Sequence, residues 1–296
     1  MPVHETFDLD HWLGVFTLES FRAEYRSLAE KFGRPVDPDW LPGGRPISSP
    51  QDIASVEHTR RALINRGFDF GLPVPVDVFL WKYSWCAQGP GTRIGGRPFR
   101  NSRVPWPKGP DGERIPFVAQ ISFLDSKDIA PPNLPGDVLC IYARRVEETN
   151  FDPECTAIEW VKLDEGKTSD EWMPQWPFCA EGVRHRTVAY PECYERLLLL
   201  DVPAPYQVSS IQATLIGADS HFNQGKPSSL DRLIATLSSF QGSETWPFTN
   251  CPSLPLEQLP DGSTRPIHMF EMMLYDVGSM YFFTSKSGSI RSHYDC

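Results

Sequence analysis

Long apolar runs are missing from this chain: its longest purely aliphatic stretch is the LLLL at 197–200. A bilayer-crossing helix needs roughly 20 apolar residues, so no membrane span is expected. The opening MPVHETFDLDHWLGVF has no basic segment followed by an apolar one, and no secretory leader is expected either. Clustered cysteines are missing too. The seven present are scattered, odd in number and without a Cys-x-x-Cys, which favours free thiols in a reducing, cytoplasmic setting. A basic surplus is also lacking, since 38 acidic residues against 28 basic ones give a formal charge of −10. Gripping a bare phosphate backbone takes clustered Lys and Arg. Nucleic acid is therefore set aside, and a basic protein partner fits the charge better.

Catalytic signatures are equally scarce. There is no Gly-x-Ser-x-Gly elbow, and the histidines show neither His-x-x-x-His nor His-Glu-x-x-His spacing. Cys179 and His185 are close enough in sequence to be weighed as a thiol–imidazole pair. The alternative is a buried thiol beside a surface histidine. The HYDC at 293–296 gathers metal-competent side chains, but neighbours in an extended chain point to opposite faces. Glu147–Glu148 and Asp164–Glu165 sit in polar turns and read as solvated surface. No metal, no cofactor and no enzymatic centre is expected.

What is present is proline, aromatics and short β-type runs. Twenty-nine prolines favour brief elements joined by fixed turns, while 40% hydrophobic and 12% aromatic residues suffice for a core. Residues 1–75 read as a helical extension. One helix is predicted over 20–32, and another begins with Pro50 at its first position and stops at Gly67. From 76 onward, strands are predicted at 76–83, 116–123, 137–145, 156–163, 209–217, 268–274 and 279–285, where β-branched and aromatic residues dominate. The segment 231–240 (DRLIATLSSF) is predicted helical, and 98–115, rich in Pro, Gly and charge, is predicted to be a surface loop.

A weak internal repeat runs through this body. Thr92-Arg93-Ile94-Gly95-Gly96 is echoed by Thr214-Leu215-Ile216-Gly217-Ala218; PFVAQISF at 116–123 aligns with IHMFEMML at 267–274; GDVLCIY at 136–142 aligns with GSMYFFT at 278–284. Gln120 then falls on Glu271. The shared order implies two related β-rich halves, about 76–165 and 205–296, sealing each other's apolar faces. The fold expected is α+β: an internally duplicated, mainly antiparallel sheet over 76–296 carrying the helical extension. The glycines of the first block are expected to supply positive φ, since no helix follows Ile-Gly-Gly-Arg-Pro to receive a pyrophosphate.

At these blocks the chain resembles the YwqG-like family, bacterial domains of largely undefined function. The likeness rests on Ile94-Gly95-Gly96-Arg97-Pro98, Trp106-Pro107, Pro116-Phe117-Val118-Ala119-Gln120-Ile121 and Leu134-Pro135-Gly136-Asp137. It closes with Asp276-Val277-Gly278-Ser279-Met280-Tyr281-Phe282-Phe283. It covers about 80–290, with Tyr275, Ala218 and Glu271 departing from the family pattern. The resemblance implies a duplicated α+β fold and no particular reaction.

The functional expectation is a non-enzymatic, cytoplasmic protein-binding module, with an immunity protein that neutralises a bacterial toxin as its specific form. Its contact residues would be aromatics on proline-punctuated loops, Trp106, Trp172, Trp176 and Phe178, because Trp and Tyr dominate interface hot spots. The alternative is a small-ligand protein or enzyme with a polar site between the halves, lined by Gln120, Glu271 and Asp276.

Overall fold

A computed structural model of the chain describes residues 50–65, 71–84, 87–145, 151–171, 173–175, 179–190, 213–217, 232–239, 256–258, 264–266, 278–284 and 290–295. The predicted helix at 20–32 and the strand at 268–274 lie outside them, as do Trp172, Trp176, Phe178, Glu271 and Asp276. Helix α1 spans Pro50–Asn65, starting at the proline that the sequence marks. Its Ile53 joins Val76, Val78 and Leu80 in one apolar cluster, so the helix packs on the middle of the sheet. No helix among the described residues is long and apolar enough to cross a membrane.

The first strands are β1 (Val74–Tyr83), β2 (Arg93–Gly95), β3 (Phe99–Arg100), β4 (Phe117–Ser122) and β5 (Val138–Arg145). Then come β6 (Phe151–Val161), β7 (Lys167–Thr168), β8 (Cys179–Ala189), β9 (Thr214–Ile216) and β10 (Arg232–Ser238). The last are β11 (Leu256–Gln258), β12 (Thr264–Pro266), β13 (Ser279–Thr284) and β14 (Ile290–Asp295). Ten of them form one antiparallel sheet in the order β14-β13-β10-β9-β1-β8-β2-β4-β5-β6, curled into a half-barrel. β3 pairs with β7, and β11 with β12, in separate ribbons.

The sheet has a centre and two arms. At the centre β1 and β8 pair along their whole length, with Leu80 opposite Val183. One arm runs β2, β4, β5, β6 and the other β9, β10, β13, β14. The Thr92 hydroxyl accepts from the Ser122 amide at 3.0 Å, and the Thr214 hydroxyl accepts from the Ser238 amide at 3.1 Å. The β4–β5 ladder shifts register between Phe117 and Ala119; the β10–β13 ladder shifts between Leu233 and Ala235. The Phe123 amide donates to Asp137 O at 2.9 Å and the Ser239 amide to Gly278 O at 3.0 Å.

The register corrects one expectation: residues 232–238 are a strand, not a helix. In the arm of β9 the strand next in order is β10, where Thr236 takes the register place that Gln120 has on β4; Glu271 lies outside the described residues. The run Leu233-Ile234-Ala235 and Leu237 is apolar on both faces, a pattern whose periodicity cannot tell helix from buried strand. Its slot between β9 and β13 decides it. Leu233 packs with Tyr281 and Phe283 on the back of the sheet. Ile234, Ala235 and Leu237 join the main core together with Phe79, Trp81, Ile121 and Leu139, so that core spans both arms.

Gly95 and Gly96 have φ of 65° and 72°, as the turn reading requires. A Cβ on Gly96 would also lie 2.8 Å from Cys179 Sγ, so only glycine fits this strand exit.

Candidate functional site

The site grows from the back of the β2–β6 arm. Gln120 is fully buried there. Its Oε1 accepts from the Phe99 amide at 2.7 Å, and its Nε2 donates to Gly91 O at 2.7 Å and Gly89 O at 3.3 Å. Arg93, in register with Gln120, donates to Ala87 O and Gly89 O. These two side chains bind the 87–99 backbone down onto the sheet. Gln120, weighed either as lining a polar site between the halves or as satisfying backbone at their seam, serves backbone within one arm.

Phe99 leads into Arg100, which is buried and heavily bonded. Its guanidinium donates to Val104 O and Pro105 O, each at 3.0 Å, and to Glu159 Oε2 at 3.2 Å. The Tyr142 hydroxyl donates to the same carboxylate oxygen at 2.9 Å. Burial, with Cys140 and Glu159 nearby, raises the phenol pKa, and burial above all raises that of the Cys140 thiol, so both stay protonated and neither is a nucleophile at neutral pH. Trp106 lies beneath Arg100, ring to guanidinium carbon 4.9 Å, and edge-on to Tyr142 at 5.4 Å. Its indole N–H donates to Ile115 O at 2.8 Å. At 6% exposure, Trp106 is a floor residue and not the exposed hot spot expected of it. A buried indole with its donor satisfied gains little from a partner.

Two further segments close the walls. Residues 108–114 form a small hairpin held by the Lys108–Arg114 bridge and by Gly109 N to Glu113 O at 2.8 Å. Arg144 grips it through Asp111 and holds that carboxyl below its usual range. The opposite wall is β7 and the residues after it, fixed by Phe99↔Thr168 pairing and by Ser169 N to Pro98 O at 2.8 Å. The predicted loop at 98–115 is thus partly folded: Phe99, Arg100, Trp106 and Ile115 are buried, while its remaining length borders the groove.

Between these walls is an open cavity of about 370 Å³. Arg100, Arg103, Lys108, Arg114 and Lys167 line it, against only Asp170 and Glu171. Arg114 pairs with Glu171, and Lys167 with Asp170 at 3.4 Å. Arg103 and Lys108 carry no ion pair among the described residues. The groove lies within one arm, not between the two. Reading the sequence missed it because the cations come from three stretches. The one available signal was Arg97, Arg100, Arg103, Lys108 and Arg114 crowded into a short segment of an acidic chain.

The weighed thiol–imidazole pair is separated by β8. Cys179 and His185 stand on one extended strand, so six steps of about 3.3 Å each hold them roughly 20 Å apart. Among the described residues no group of three or more His, Cys, Asp or Glu could hold a metal ion. No protein-family model matches the chain, and no curated protein matches it.

Proposed function

We propose that the chain is a non-enzymatic binding module whose site is the cationic groove over the β2–β6 arm, and that its occupant carries an anionic group. The observation that carries this reading is the sign of the groove. A protein with a formal charge of −10 gathers five cations around one cavity of about 370 Å³, a volume in the range of small-ligand sites. Repelled charges are costly to assemble, and a sheet-backed arrangement that holds them offers a ready anion site. A protein partner, the toxin of the immunity reading included, would meet this groove with Asp or Glu side chains. The test is isothermal titration calorimetry with small anions and with acidic peptide. Binding should weaken about tenfold or more in Arg103→Ala/Lys108→Ala. Indifference of every anion to that change sinks the proposal.

The proposal extends to the scaffold: residues 76–296 form one body built from two copies of a strand unit, with 1–75 as an extension packed on it. Matching threonine-to-amide bonds, matching ladder shifts and symmetrical strand order support this reading. Cys140, Cys155 and Cys179 are free and buried, which supports a reducing compartment.

A further inference from the structure

We infer that the groove's ligand is a small phosphate monoester, taken up as its dianion; this rests on the groove being the binding site. Counting charges sets the valence. The five lining cations, against Asp170, Glu171 and the buried Glu159 behind Arg100, leave a surplus of two positive charges. A ligand of charge −2 neutralises the cavity. A monoanion leaves part of the repulsion in place.

Geometry narrows the class. The donors come from two facing walls: Arg103, Lys108 and Arg114 on the side of the hairpin, and Lys167 with Ser169 on the β7 side. A planar carboxylate is satisfied by one guanidinium fork in one plane. Donors on two facing walls suit the tetrahedral oxygens of phosphate, which guanidinium and ammonium groups both bind well. Ser102 adds a hydroxyl at the same wall.

The Arg114–Glu171 pair explains how such a groove stays closed to weak ligands. Both side chains are about half exposed, 50% and 45%, so the pair is only modestly stabilising and can exchange partners. Glu171 occupies the guanidinium that an incoming phosphate needs. The ligand displaces a carboxylate that stands in for it, so removing that carboxylate strengthens binding. A cationic ligand would show the reverse.

The experiment is calorimetry on the full chain at low ionic strength, with phenyl phosphate, succinate and hexaglutamate peptide as probes. Phenyl phosphate should bind tightest. Its affinity should fall about tenfold or more in Arg103→Ala/Lys108→Ala, both surface positions whose loss leaves the circular dichroism spectrum unchanged. Affinity should rise several-fold in Glu171→Gln, and it should decline below about pH 6, where a phosphate monoester takes up its second proton. Tighter binding of succinate or hexaglutamate overturns the phosphate assignment and leaves the anion groove standing. Weakening in Glu171→Gln overturns the displacement. Failure of all three probes to bind overturns both the assignment and the groove.

Discussion

The two arms share one ladder and differ in what they bury behind it. Register pairs Arg93 with Leu215, Gln120 with Thr236, Tyr142 with Phe283 and Glu159 with His293. In the β9–β14 arm the back of the sheet holds Leu233, Tyr281 and Phe283, a small apolar cluster. In the β2–β6 arm the places of Leu215, Thr236, Phe283 and His293 are taken by an arginine, an amide, a phenol and a carboxylate. Buried polar groups cost free energy unless bonded, and each of these bonds a segment leading to the groove. The shared ladder is scaffold, and the polar set is what one arm adds to carry loops. The difference between matched positions therefore points to the groove more directly than any motif does.

This comparison can be broken most decisively at Arg100. With only 5% and 9% side-chain exposure, Arg100 and Glu159 are a buried pair, and Arg100→Met strands the carboxylate. We expect a loss of about 3–5 kcal/mol in urea unfolding, partly restored by adding Glu159→Gln. His293→Ala, at the matching place, should cost under about 0.5 kcal/mol. Comparable losses would erase the distinction between arms.

Next is Gln120→Leu, which leaves the Phe99 amide and the Gly91 carbonyl unpaired and should cost about 2–3 kcal/mol. Thr236→Val should cost about 1 kcal/mol in the same assay. Gly96→Ala should cost about 1–2 kcal/mol from its positive φ and the nearby thiol. Adding Cys179→Ala should return the steric part alone, which melting curves of the two variants would separate.

The smallest effect expected is with acid. Asp111, held by Arg144, Asp128, held by Arg186, and Asp137, held by the Leu163 amide and Lys127, all have lowered carboxyl pKa values. Their folded pKa lies below the unfolded value of about 3.9. Their contribution is complete above that pH and is lost as pH falls through the folded pKa. Asp111 and Asp137 belong to the β2–β6 side and Asp128 ties it to β8, so amide protection factors should fall there first between pH 5 and pH 3. A uniform fall would blunt the comparison.

Much of the ladder was legible in the sequence. The β-branched and aromatic runs gave β1, β4, β5, β6 and β13, and Pro50 marked the helix start. β8 escaped because Glu181, Arg184, His185 and Arg186 interrupt any apolar run, although the strand sits at the centre of the sheet. β10 escaped for the opposite reason, being apolar on both faces. The Thr-x-Ile-Gly blocks that suggested a repeat fall on β2 and β9, at the inner edge of each arm, while the segment aligned with β4 lies outside the described residues. Trp106 and Gln120 were singled out rightly as unusual and wrongly as exposed or shared. Burial and partners are set by chain brought from elsewhere, which no local spacing encodes.

One feature belongs to neither arm. Asp77 on β1 is fully buried and accepts from Arg186 Nε at 2.6 Å and from the Ser126 hydroxyl at 2.6 Å. Arg186 also clasps Asp128 at 2.7 and 3.0 Å. A long strand pair can slide, because a shift of two residues keeps every side chain on its own face. Asp77 and Arg186 sit directly opposite each other, and only one alignment lets that carboxylate meet both the guanidinium and the serine. The cluster works as a keyed joint: it fixes where the two central strands stop moving past each other, and so sets the spacing of everything hung on either side.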